Sequence, residues 1–243
     1  VMYAHGICSI ALCEAYAMTQ DRDLRAPAQK AIDYIIYCQN PGGGWRYEPK
    51  QQGDTSVVGW QLMALRSAQM AYLDVPDDAI KRAVKFLDSV AEREPGDRYG
   101  LARYAYQPGT GISEVMTAEA MLCRQYTGWK RSEPAMGDAV RWLISEHLPS
   151  GNSGFNVYYF YYGTQVMHHY GGEPWKAWNN RVRDLLVNTQ VKRGELEGSW
   201  DPRGQWGNQG GRIFTTSLSL LTLEVYYRHL PLYDRPEKDL KGD

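Results

Sequence analysis

The sequence has little of what would tie a chain to a polyelectrolyte, a bilayer or a disulfide framework. Its 27 basic and 28 acidic residues leave a formal charge of −1. A nucleic-acid or anionic-membrane surface carries a clear basic excess, so no nucleic-acid partner is expected. No apolar run approaches the roughly 18 to 20 residues that a membrane span needs. The four cysteines, Cys8, Cys13, Cys38 and Cys123, are too few and too irregularly spaced for a disulfide scaffold or a zinc knuckle. Three of them fall in apolar helical stretches, where a thiol behaves as a small hydrophobe. No metal and no cofactor are expected. Phenylalanine is scarce as well, with 4 against 18 Tyr and 8 Trp. Tyr and Trp suit places that are apolar on one side and wet on the other. Many of them stand in glycine-rich loops: PGGGWRY, GDRYGLARYAY and GSWDPRGQWGNQGG.

What is present is an ordinary globular composition, 243 residues with 43% hydrophobic, enough to bury one sizeable core. One domain over 1–230 is expected, followed by a charged C-terminal tail, 231–243. The chain begins at Val1 inside what reads as a helix, VMYAHGICSIALCEAYAM. The expectation is that the natural polypeptide extends N-terminally, or that a partner chain covers the open edge; the compartment stays unassigned.

Four segments lead with proline and continue at helical periodicity, from Pro27, Pro76, Pro134 and Pro174. Proline is well placed near a helix start, where its missing N–H has no partner to lose. In the second segment Ile80, Ala83, Val84 and Leu87 form one apolar stripe with charges opposite, the mark of a helix packed on one side. Between these lie helices with few charges, near 2–18, 54–71, 112–127, 156–170 and 212–229. Aligned on Glu14, Arg66, Arg124, His168 and Glu224, they share a small or polar column: Ser9, Gln61, Glu119, Gly163 and Ser219. Alternating inner and outer helices joined by Gly/Trp/Tyr loops curl into a ring. The predicted fold is all-α, an α/α toroid of inner/outer helix pairs and an incomplete ring, with no substantial sheet.

Two stretches carry a resemblance. Gln39 is followed by Gly43, Gly44 and Trp45, and Gln190 by Gly198 and Trp200. This resembles the Gln-Trp repeat of the terpenoid cyclase and protein prenyltransferase superfamily, whose members form α/α toroids. GDTSVVGW, Gly53 to Trp60, looks like the tail of the squalene–hopene cyclase acid motif. In that family the middle Asp of the motif donates the proton. Its aligned position here is Gly53, the first Asp is replaced by Gln51, and Asp54 remains. The resemblance therefore implies a cavity for an apolar ligand, with isoprenoids as one candidate, and no squalene cyclisation. The prenyltransferase zinc ligands and the complement-type thioester motif have no counterpart.

The expected ligand cavity is lined by His5, Ser9, Asp54, Gln61, Glu119, Tyr159, Phe160, Thr216 and Ser219. Asp54 with Thr55 reads first as a helix cap. Glu119, in an otherwise apolar stretch, reads as a paired carboxylate or one poised for proton transfer. These two are the candidate catalytic groups. Trp45, Trp200 and Trp206 are repeat-loop aromatics, with Trp45 and Trp200 pinning neighbouring repeats. Two other functions fit the same residues: a protein-interaction scaffold, and a glycan-active helical barrel. In the barrel, rim Trp and Tyr stack on sugar rings while a pair such as Asp54 and Glu119 does acid–base work.

Overall fold

A computed structural model describes residues 1–92, 102–151 and 154–228; the tail 231–243 lies outside them. The chain divides into two compact units, Val1–Trp129 and Lys130–Asp243.

The first unit holds α1 (Met2–Thr19), α2 (Arg22–Cys38), α3 (Thr55–Met70), α4 (Asp77–Val90) and α5 (Glu114–Tyr126). A two-residue antiparallel pair, β1 (Tyr104–Ala105) with β2 (Ile112–Ser113), precedes α5. The helices are of two kinds, as their charge patterns predict. Along α3 every residue from Thr55 to Leu65 is buried, which the absence of charge over that run allows. By contrast, α4 buries one stripe, Ala79, Ala83, Phe86, Leu87 and Val90, and α2 buries Ala28, Ile32, Ile35 and Cys38. Each large apolar side chain so buried contributes roughly 1.5 to 3 kcal/mol. α3 packs between α1 and α5. Close approach is permitted by glycine: Gly6 of α1 faces Gln61, and Gly59 of α3 faces Glu119. On the side of α1 away from this packing, Ala4, Ile7, Cys8 and Ala11 are exposed.

The second unit holds α6 (Pro134–Glu146), α7 (Val157–Tyr170), α8 (Gly172–Thr189), α9 (Gly204–Leu223) and α10 (Val225–Arg228). α7 is buried from Val157 to Met167 and packs against α8 and α9. Gly163 makes room for Trp178, whose indole N–H donates to Thr164 Oγ1 at 2.9 Å.

The boundaries depart from expectation in three places. α2 starts at Arg22, capped by the Asp21 side chain on the Asp23 N–H, so Pro27 lies inside the helix rather than at its start. The Asp cap outweighs the proline signal, since an N-cap carboxylate satisfies a free N–H directly. α8 starts at Gly172, two residues ahead of Pro174. α9 starts at Gly204 rather than near 212, because GQWGNQG forms a first helical segment that breaks at Gly211 (φ 73°). That left-handed φ is open to glycine at little cost.

The two Gln/Trp stretches make the same bonds in separate units. Trp45 Nε1 donates to the Ile35 carbonyl at 2.7 Å, and Trp200 Nε1 to the Leu186 carbonyl at 2.8 Å. Gln39 Nε2 donates to the carbonyls of Gly43 and Ala79, both at 2.9 Å; Gln190 Nε2 donates to that of Gly198 at 3.0 Å. The motif is a staple between a helix end and the loop that follows.

Candidate functional site at the start of α3

Asp54 caps α3: its Oδ1 accepts from the Val57 N–H at 2.9 Å and from Ser56 Oγ at 2.7 Å. The side chain is wholly buried. Its second oxygen, Oδ2, accepts no close hydrogen bond; Arg46 Nε stands 3.6 Å away and the Tyr106 hydroxyl interacts with the carboxylate. Burial pushes the Asp54 pKa up, against the opposing pull of Ser56, the Val57 N–H, Tyr106 and Arg46. Burial also pushes the Tyr106 phenol upward, reinforced by its bond to Tyr47 and by the Asp54 charge.

Tyrosines surround this carboxylate. Tyr106 Oη lies 2.7 Å from Tyr47 Oη, and Tyr3 of α1 donates to Ser56 Oγ. The Tyr3 and Tyr47 rings stack with centroids 6.0 Å apart, and the Arg46 guanidinium lies 5.5 Å over Tyr47. Tyr47 is 44% exposed, so this group reaches solvent while Asp54 does not. The local chain explains the assembly. The loop from Gln39 is pinned by the Trp45 staple, and the Asp54 N–H donates to the Trp45 carbonyl at 2.9 Å. Arg46 and Tyr47 thereby come beside the α3 cap, while Thr55 N–H and Oγ1 hold the 105–106 backbone. A buried, proton-retentive acid beside partly exposed phenols and a guanidinium suits proton transfer to or from a polar ligand.

The other expected cavity residues are placed as follows. Gln61 Nε2 donates to the Met2 carbonyl at 2.9 Å, and Glu119 is buried with its carboxylate against Gly59. His5 Nε2 bonds the Ala31 carbonyl of α2 at 2.9 Å, its ring edge-on to Tyr34, and Ser9 Oγ returns to the His5 carbonyl. In the second unit Tyr159 donates to the His147 carbonyl and packs edge-on against Trp178; Phe160 is buried against Phe155. Thr216 Oγ1 accepts from the Trp200 N–H, Ser219 is buried, and Trp206 is 46% exposed. The structure sets Asp54 at the cap of α3, Gln61 along that buried helix, and Glu119 of the neighbouring α5 against it at Gly59. Sequence reasoning passed over Tyr3, Arg46 and Ser56. Arg46 was legible as a cation set between two aromatics in WRY, and Ser56 as a hydroxyl two residues past a capping Asp.

Among the described residues, no group of three or more His, Cys, Asp or Glu is arranged to hold a metal ion. No helix there is long and apolar enough to cross a membrane. A groove of about 550 Å³ on the second unit, lined by Leu148, Asn180, Arg181, Asp184, Leu185 and Thr189, lies along the solvent side of α8.

No protein-family model and no curated protein matches the chain. Among solved structures it is similar to an inactive variant of the α-1,6-mannanase GH76A of Salegentibacter sp. HEL1_6, in complex with α-1,6-mannotriose. The similarity has a TM-score of 0.57 at 13% identity and covers 92% of this chain and 74% of that one. The fold is an α/α toroid of helix pairs. The comparison corrects the resemblance to terpenoid cyclases and prenyltransferases: the neighbour is a glycoside hydrolase, and its ligand is a glycan rather than an isoprenoid. The physical reason lies in the motifs themselves. The Gln/Trp staple closes a helix–loop joint and GDTSVVGW builds a cap and a buried helix, so both specify architecture and leave the chemistry open.

Proposed function

We propose that this chain is a carbohydrate-active helical-repeat domain whose working site is the Asp54 cluster of the first unit. The observation that carries it is the fully buried Asp54, its pKa raised, set behind the tyrosines Tyr3, Tyr47 and Tyr106, in a fold shared with a glycan-binding hydrolase. Phenol rings stack on the apolar faces of pyranoses, and their hydroxyls bond the ring substituents. Arg46 supplies five donors in a fixed fork, suited to sugar hydroxyl pairs and to anionic substituents. Glycoside hydrolysis takes two carboxylates. The second is Glu119, which meets α3 at Gly59, about 7.5 Å of helix rise from Asp54.

The test is titration of the purified chain with α-1,6-mannotriose and a panel of neutral and anionic oligosaccharides, following tyrosine and tryptophan fluorescence, with product analysis by chromatography. Binding is expected for at least one member, weakened about tenfold or more by Tyr47→Ala, which removes one stacking ring. Hydrolysis, where seen, is abolished by Asp54→Asn. Folded wild-type protein that binds no member of the panel overturns the proposal.

A further inference from the structure

Arg46 is held from two sides. Its Nε stands 3.6 Å from Asp54 Oδ2, and its guanidinium lies 5.5 Å over the Tyr47 ring. The side chain is 34% exposed. Nη1 and Nη2, the open end of the fork, make no hydrogen bond among the described residues, and neither is closed off from solvent. The ion pair with Asp54 is a loose one, since 3.6 Å exceeds hydrogen-bond length and Oδ2 is left without a close donor. The guanidinium is thus fixed in direction, while every N–H donor on Nη1 and Nη2 stays free.

The neighbouring charges leave that fork to a ligand. Lys50 of the same loop turns to the Gln39 carbonyl at 3.3 Å and to the Tyr37 ring at 5.0 Å. Glu48 is exposed, so solvent screens its repulsion of an incoming anion. Asp54 is wholly buried, and burial opposes its charge, which weakens its hold on Arg46. Tyr47, 44% exposed, adds a hydroxyl beside the guanidinium.

We infer that the ligand of this site is an acidic glycan, whose uronate carboxylate is taken end-on by Nη1 and Nη2 of Arg46. A planar carboxylate accepts two parallel N–H bonds from a guanidinium, and these charge-assisted bonds are about twice as strong as those to a neutral sugar hydroxyl. A single cation backed by a carboxylate suits a monoanion. A phosphate monoester would set close to two negative charges in front of Asp54. Arg46 is then a specificity-determining residue that reads the acid group, while the tyrosines hold the pyranose that carries it. The inference rests on the carbohydrate proposal and narrows it from glycans in general to those bearing a carboxylate.

The experiment is calorimetric titration of the purified chain with trimers of galacturonate and mannuronate, with the methyl esters of both, and with α-1,6-mannotriose. Esterification keeps the sugar and removes the charge, so the comparison needs no variant. At least one free acid is expected to bind about tenfold to a hundredfold tighter than its ester. The gap narrows as salt rises from about 50 mM to about 500 mM. Arg46→Lys keeps a charge without the fork and retains part of the preference; Arg46→Gln retains none, with melting curves confirming that both variants are folded. Equal affinity for acid and ester, or a preference that survives Arg46→Gln, overturns the inference and leaves the carbohydrate proposal standing. Binding of mannotriose alone does the same. Folded wild-type protein that binds none of the five glycans sinks both.

Discussion

The Glu119 carboxylate rests against the backbone of Gly59, so close that a Cβ at position 59 would fall 2.1 Å from its Oε1. The contact joins α3 to α5 and leaves no room for a methyl group. Gly59→Ala is therefore expected to destabilise the chain by about 1 to 3 kcal/mol, through displacement of the carboxylate or separation of the helices. A urea melt with unchanged slope gives the figure directly. Stability equal to wild type would show that Glu119 swings away freely.

Arg124 is 3% exposed and serves three partners: Asp88 at 2.6 Å, the Tyr104 hydroxyl at 3.0 Å, and the Trp129 ring at 4.9 Å. Asp88 is 45% exposed, so solvent screens part of the pair. Arg124→Ala strands the Tyr104 phenol in the core and empties the space over Trp129. A loss of about 2 to 4 kcal/mol is expected, with Arg124→Met recovering part of it through packing. Equal losses for Ala and Met would assign the whole effect to charge.

Stability should carry a signature of Asp54 in its pH dependence. Its folded pKa lies above the unfolded value of 3.8, so the folded state binds more protons between the two. The contribution is full below the unfolded value and is lost as pH rises from there through the folded value. Asp54→Asn keeps a capping side chain and removes this segment. The stability of the variant relative to wild type is thus expected to improve with rising pH across that window. Parallel melting curves from pH 3.5 upward check it; a constant difference would mean that Asp54 titrates alike folded and unfolded.

Tyr72 holds a left-handed backbone, φ 56°, with its side chain 87% exposed. Such a conformation costs an ordinary residue about 1 kcal/mol or more, and glycine almost nothing. Tyr72→Gly is expected to stabilise the chain by about 0.5 to 1 kcal/mol, read as an upward shift in melting temperature.

Much of the fold was legible because it rests on periodicity. The one-sided charge of α4 and the charge-free run Thr55 to Leu65 of α3 state which helix faces solvent, and Asp54 declares itself a cap by standing before an apolar run. The boundary errors have local causes. The Asp21 cap overrode Pro27, and Gly211 let two helical segments share what reads as a loop. The site was half legible. Asp54 stood out, but its setting depends on contacts between distant segments, Tyr3 with Ser56 and Tyr47 with Tyr106, which no spacing rule encodes. The family resemblance misled for the same reason: Gln39 and Trp45 report a joint between elements, and joints recur wherever helix pairs repeat.

That joint has a consequence for how such chains change over time. Trp45 reaches back to Ile35 and Trp200 to Leu186, so the tryptophan bond of each staple is closed by residues near it in sequence, while Gln39 alone reaches on to Ala79 of α4. A helix, its loop and their staple form a unit that can be copied, deleted or exchanged as one piece with little bonding to the rest of the chain to replace. Lineages built this way can lengthen or shorten by whole helix pairs while their catalytic side chains drift independently, which is a route to one architecture serving unrelated chemistries.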